Sequence, residues 1–193
     1  MIEIVLASTN PHKVDEINSI ANKHGINFVQ VKSGFAPLED GKSFEENSII
    51  KAREASKLMF AYALADDTGL CVDALNGRPG IYSARYANTQ EDKISKLLSE
   101  LKDINDDKRT AQFVCTIVLT NPHGDVVHQT RGICKGKIAS MPYGNGGFGY
   151  DPLFIVDGLN KTMAELSADE KNTLSHRAKA LIPMIEWIKS NLD

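Results

Sequence analysis

The chain has 193 residues, 42% hydrophobic and 24% charged, with a formal net charge of −3. Those values describe one ordinary globular domain and leave no basic tail or stripe to hold a nucleic-acid polymer. Cys71, Cys115 and Cys134 are odd in number and far apart, against a disulfide framework or structural zinc, and no apolar run or leader-like N-terminus points to a membrane or to secretion, so a cytoplasmic protein is expected.

Ile2 to Ala7 is a short apolar run rich in β-branched residues and reads as a buried strand. Asn10 suits an N-cap and Pro11 the first helical position. Val14, Ile17, Ile20 and Ala21 then recur at helical spacing up to the stop at Gly25, and Ile26 to Val31 resumes strand character. After a loop from Gly34 to Lys42, Ser43 and Glu46 form a capping-box pattern. The helix it opens runs to about Met59, with Ile49, Ala52, Ser56 and Met59 facing inward. Ala61 to Ala65 is a short strand ending in Asp66-Asp67, and Gly77, Pro79 and Gly80 punctuate the next loop. Thr89 and Asp92 cap a helix whose inner stripe is Ile94, Leu97, Leu98 and Leu101.

Ala111, Phe113, Cys115, Ile117 and Leu119 alternate along a long strand. Asn121-Pro122-His123-Gly124 turns the chain, and Val126 to Lys137 returns as its partner. A glycine-dense loop leads to a strand from Leu153 to Val156. One last helix carries Leu174, Ala178, Leu181, Ile185, Ile188 and Leu192, and Pro183 should kink it near Lys179. The class is α/β, or α+β with a mixed sheet.

Four stretches gather chemistry. In Ser8-Thr9-Asn10-Pro11-His12-Lys13, hydroxyls, an amide, helix N-terminal N–H groups and a lysine meet between a strand and a helix. That suits a phosphate chain, although the glycines of a Walker A loop are absent; the competing reading is helix capping by Asn10. In Asp66-Asp67-Thr68-Gly69, adjacent carboxylates on an extended strand point to opposite sides. One suits a divalent cation and the other a loop or a base; the competing reading is a turn stabilised by aspartates. Glu39 and Glu46 are further carboxylates, Glu46 being accounted for by the cap. In Gly144 to Pro152, glycines let the backbone approach a flat ligand, Phe148 offers an aromatic face and Asp151 an acceptor. In Lys171 to Arg177, Ser175, His176 and Arg177 point away from the Leu174 stripe, where donors suit a purine edge.

The blocks ASTNPHK, SFEEN with KA, ADDTGLCVDALNGRPGIYSARYA, GNGGFGYDPLF and KNTLSHR, in this order and spacing, resemble the Ham1/RdgB family of inosine/xanthosine triphosphate pyrophosphatases over nearly the whole chain. The resemblance implies a single domain, residues 1–193, with an elongated mixed sheet in two lobes, flanking helices and a central substrate cleft, assembled as a homodimer. It implies hydrolysis of ITP, dITP and XTP to monophosphate and pyrophosphate with one or more Mg²⁺ ions per subunit. Ser8, Thr9, Asn10 and Lys13, with Pro11 and His12 between, match the loop that binds the triphosphate. Glu39 matches a metal ligand, Asp67 the catalytic carboxylate and second ligand with Asp66 beside it, and Lys51 a lysine facing the phosphates. Phe148, Gly149, Tyr150, Asp151, Lys171, His176 and Arg177 match the base and sugar pocket. Thr68 stands where many members have serine. His12 replaces a common glycine, which would narrow the first loop, and Pro183 has no functional account. Two rivals remain: a Maf-like pyrophosphatase acting on pyrimidine or modified nucleotides, and a nucleotide-binding regulator without turnover.

Overall fold

The first strand is short and wholly buried. In the computed structural model, which describes residues 4–192, β1 spans Ile4–Leu6; the expected start at Ile2 lies outside the described residues. The helix α1 (Pro11–Lys23) begins as its capping chemistry dictates. The Asn10 side chain accepts from the N–H groups of His12 and Lys13, and Gly25 takes the left-handed conformation, φ 75°, after the helix ends. The strand β2 (Phe28–Gln30) is shorter than the apolar run that predicts it.

The helix α2 (Phe44–Met59) departs from expectation in two ways. Ser43 accepts from the Glu46 N–H at 3.1 Å, but the Glu46 carboxylate turns to the Lys42 N–H at 2.7 Å, so the box does not close on Ser43. Its buried face is Asn47, Ser48, Lys51, Ala52, Ala55 and Ser56, while Ile49 and Met59 are only partly buried. These small and polar side chains let the helix lie close to the sheet. The Ser48 hydroxyl donates to the Thr116 carbonyl at 2.9 Å, and the Thr120 hydroxyl to the Ala52 carbonyl at 3.0 Å.

The strand β3 (Tyr62–Val72) corrects the reading of a short strand ending at Asp66-Asp67. It continues because Leu70, Cys71 and Val72 restore β-prone character, and both carboxylates find partners on helices packed against the strand. With β4 (Thr110–Thr120), β5 (Val126–Ile138) and β6 (Phe154–Val156), it completes a mixed sheet of order β2-β1-β3-β4-β5-β6. The strand β1 is parallel to both β2 and β3, whereas β5 and β6 are antiparallel. From Phe113 to Thr120 every residue of β4 is buried, as befits a strand covered on both faces.

The helix α3 (Gln90–Glu100) starts with Thr89 accepting from the Asp92 N–H. The single last helix read from the sequence is two. Helix α4 (Ala168–Leu174) opens with an unanticipated Ser167/Glu170 capping box, Ser175 is extended, and α5 (His176–Asn191) follows. The interruption therefore falls at Ser175 rather than at Lys179, and α5 runs on through Pro183. Leu174 packs with one core, while Ala178, Leu181, Ile185 and Ile188 pack with another.

The chain divides into two compact units. One comprises residues 1–67, 115–132 and 176–193; the other comprises 68–114 and 133–175. In the first, Ile4, Leu6, Ile17, Ile20, Leu64, Ile117 and Leu119 pack with α5, and Val5, Ala52, Ala55 and Val118 form a second cluster beneath α2. In the other, Leu70, Leu97, Leu101, Phe113, Leu153 and Phe154 form the centre.

Candidate active site

Within the first unit, β3 sends its adjacent carboxylates to separate partners. Asp66 is 2% exposed; Lys13 Nζ lies 3.0 Å and Arg177 Nη2 3.2 Å from its Oδ2. The other guanidinium nitrogen of Arg177, Nη1, is paired with Glu16 of α1. Burial opposes the charged form of Asp66, but Lys13, Arg177 and Lys51 outweigh it and hold the carboxyl well below the usual carboxylate range. Asp67 accepts from Lys51 Nζ at 3.1 Å and from Asn47 Nδ2 at 3.3 Å. Its balance runs the other way: burial raises it, Lys51 and Lys13 offset only part of that, and the charge of Asp66 adds to the rise. Lys51 stays charged despite burial because Asp67, Asp66 and Glu39 all favour its ammonium.

The first loop is built around this pair. Ser8 is buried and accepts from the Asn10 N–H at 3.3 Å, and its carbonyl accepts from Gln30 Nε2 at 3.1 Å. Thr9, Asn10, Pro11 and His12 are exposed at the start of α1, and Lys13 is half-buried with its ammonium on Asp66. Glu39 comes from the loop before α2, with Oε2 3.2 Å from Lys51 Nζ. Asn47 fixes that loop: its Oδ1 accepts from the Gly41 N–H at 2.9 Å while its Nδ2 holds Asp67. A Cβ on Gly41 would lie 2.6 Å from Asn47 Oδ1, so glycine is required for this approach.

In the second unit, Asp151 organises the glycine-rich loop. Its Oδ2 accepts from the Phe148 N–H at 2.9 Å and from Lys171 Nζ at 2.7 Å, and the same ammonium is 5.2 Å from the Phe148 ring centroid. Gly147 has φ 69°, and a Cβ there would lie 2.1 Å from Asp151 Oδ2. The Gly149 N–H donates to Gln90 Oε1 at 2.9 Å, and the Tyr150 hydroxyl to the Ser83 carbonyl at 3.1 Å. Phe148, with one ring face near a cation and half-buried, is suited to stack on a planar ligand.

The structure thus gathers Ser8, Lys13, Glu39, Lys51, Asp66, Asp67, His176 and Arg177 in the first unit. Thr68, Phe148, Gly149, Tyr150, Asp151 and Lys171 belong to the second. The block from Lys171 to Arg177, contiguous in sequence, is divided at Ser175. Sequence reasoning missed Asn47, Glu16, Gln30 and Gln90. Asn47 alone carried a signal, standing one helical turn before Lys51 on the same face.

Among the described residues no group of three or more acidic, histidine or cysteine side chains forms a ready metal cage. Glu39 and Asp67 nevertheless suit a hard cation. Two carboxylates within 3.2 Å of one point, the Lys51 ammonium, are the small oxygen set that Mg²⁺ takes when water and substrate phosphates complete its shell.

Fold and site define a mixed α/β protein with a carboxylate pair set among lysines and an arginine, and a separate aromatic–cation loop. A family model described as the Ham1 family matches residues 4–187. A dITP/XTP pyrophosphatase of Bacillus subtilis is 46% identical over 94% of this chain and 94% of that relative. One of Halalkalibacterium halodurans is 44% identical over 97% of this chain and 100% of that relative. A solved HAM1 protein from Coxiella burnetii superposes with a TM-score of 0.87 at 40% identity, covering 98% of this chain and 100% of that one. The Staphylococcus aureus Ham1 protein gives 0.84 at 40% identity over 97% and 98%. The chain belongs to the Ham1 family.

Proposed function

We propose that this protein hydrolyses non-canonical purine nucleoside triphosphates, ITP, dITP and XTP, to the monophosphate and pyrophosphate. The observation that carries the chemistry is the split between Asp66 and Asp67. Asp66 is locked in its ionised form by Lys13 and Arg177, which makes it a weak base and a strong anchor. Asp67, raised by burial, is the better proton acceptor and is the residue we assign to orient and deprotonate the water attacking the α-phosphorus. Ser8, Thr9, Asn10, Pro11, His12 and Lys13 bind the phosphates with the N–H groups opening α1, and Thr68 is assigned to the substrate as well. Lys13 and Lys51 offset charge building on the departing pyrophosphate. Mg²⁺, when held by Glu39 and Asp67, supplies Lewis-acid polarisation of the triphosphate.

Phe148, Gly149, Tyr150, Asp151 and Lys171 are assigned to the base and sugar, with His176 and Arg177 as candidate donors to the purine 6-oxygen. Adenine carries an amino group at that position, which leaves a buried donor without an acceptor and is rejected. Reading by Arg177 requires it to give up part of its pairing with Asp66 or Glu16, and reading by Lys171, whose ammonium lies close to the aromatic ring, requires it to share its bond to Asp151. The same reading includes a single domain, a homodimer and a cytoplasmic location; no helix among the described residues is long and apolar enough to cross a membrane.

Turnover of a nucleotide panel, with pyrophosphate and phosphate measured separately, tests the proposal. High rates are expected for ITP, dITP and XTP, low rates for GTP and the lowest for ATP, with pyrophosphate as co-product. Equal turnover of ATP and ITP overturns the selectivity. Preference for pyrimidine nucleotides favours a Maf-like enzyme, and tight binding without turnover favours a regulator.

A further inference from the structure

Lys51 Nζ lies 3.2 Å from Glu39 Oε2 and 3.1 Å from Asp67 Oδ1, so it stands at the point on which the two carboxylates converge. Its side chain is 9% exposed and comes from the buried face of α2, beside Ala52 and one turn after Asn47. An ammonium and a divalent cation cannot share that point. Both seek the same oxygens, and like charges at contact distance repel strongly in a buried setting. We propose that Lys51 is a built-in counter-ion that competes with a divalent cation for Glu39 and Asp67 and must move off them before the cation can bind there. The inference rests on the assignment of Glu39 and Asp67 as metal ligands.

Two consequences follow from the charge balance. With Lys51 in place the three groups sum to one negative charge, which attracts a divalent cation weakly. Without it they sum to two, the charge that neutralises Mg²⁺. The triphosphate supplies what moves Lys51, since phosphate oxygens offer the ammonium an alternative partner. Metal and nucleotide then bind together rather than metal first, and no bare cation is held ready for adventitious chemistry.

The test measures binding of Mn²⁺ alone, without nucleotide, from the loss of the free-ion paramagnetic signal. Lys51→Gln is expected to bind Mn²⁺ on the order of tenfold or more tighter than wild type, because the competing charge is gone. Lys51→Arg keeps the charge and should stay weak. Glu39→Gln added to Lys51→Gln should abolish the gain. Equal Mn²⁺ affinity of wild type and Lys51→Gln, both weakened by Glu39→Gln, overturns the counter-ion role while leaving the metal assignment standing. No Mn²⁺ bound by any variant, with turnover indifferent to Glu39→Gln, overturns the metal assignment and the inference with it. A heat-unfolding curve establishes that each variant is folded. If Lys51→Gln does not fold, wild type still decides: covalent labelling of lysine amines, read by mass spectrometry, should rise at Lys51 alone when Mn²⁺ is added, and unchanged labelling there overturns the proposal.

Discussion

Asp66 and Asp67 differ by one position in sequence, and the strand pleat gives them different chemistry. Asp66 balances Lys13 and Arg177, so Asp66→Asn leaves the buried Arg177 and the half-buried Lys13 facing a neutral amide. That variant should lose about 3–5 kcal/mol of stability, the usual result of breaking a buried pair from one side. Asp67→Asn leaves Lys51 with Glu39 and should unfold near the wild-type temperature, yet kcat should fall by about 10³-fold, roughly 4 kcal/mol of transition-state stabilisation. Unfolding curves and initial rates on both variants separate the roles; a stable, inactive Asp66→Asn beside an active Asp67→Asn would exchange them. The adjacency and its two-sided geometry were legible in the sequence, because alternation along a strand is a local rule. The partners were not. Glu16, the second partner of Arg177, is distant from it in sequence, and the two meet only because α1 and α5 pack together. Asn47 shares a helical face with Lys51, but its bond to Asp67 appears only once the fold buries that face.

Element by element, boundaries set by local chemistry came through and those set by packing did not. Asn10, Ser43 and Thr89 each cap a helix with their own side-chain oxygen, a bond made within three residues. The strand β3 overran its expected end because tertiary burial outweighed the turn character of Asp66 to Gly69. The last helix split at Ser175 because Leu174 and Ala178 belong to different cores, which helical spacing cannot distinguish. Where α5 begins, β5 must come very close. A Cβ on Gly132 would lie 2.1 Å from the His176 carbonyl oxygen and 2.5 Å from the Ala180 nitrogen. Both are backbone atoms that cannot rotate aside, and the Thr130 hydroxyl also donates to the Ala180 carbonyl at 2.8 Å. Gly132→Ala should therefore push the first turn of α5 away, shift Arg177 with it and cost about 1–3 kcal/mol by overpacking. An unfolding temperature equal to wild type would show that the turn tolerates the displacement.

At the scale of the whole molecule, the division into two units meets a chain that passes between them four times. It crosses within β3, β4 and β5, and again at Ser175–His176. Three of the crossings are hydrogen-bonded strand rather than flexible linker, so opening one unit frays the strands that run into the other. A single cooperative transition is expected. The chain carries its own reporter, because Trp187 is its one tryptophan. It sits on α5 in the first unit, stacked on His128 with ring centroids 4.6 Å apart. Leu97 is fully buried in the core of the other unit. Leu97→Ala should cost about 2–5 kcal/mol, the range for removing a core leucine with partial collapse of the cavity. For a chain of this length that lowers the midpoint by roughly 4–20 °C. The decisive comparison is between Trp187 fluorescence, which sees only the first unit, and far-ultraviolet circular dichroism, which sees both. If the molecule unfolds as one, Leu97→Ala moves both signals by the same amount although Leu97 lies outside the reporter's unit. If the Trp187 midpoint stays at the wild-type value while the dichroism develops an earlier step, the units are separate folding domains, and the single-domain reading fails.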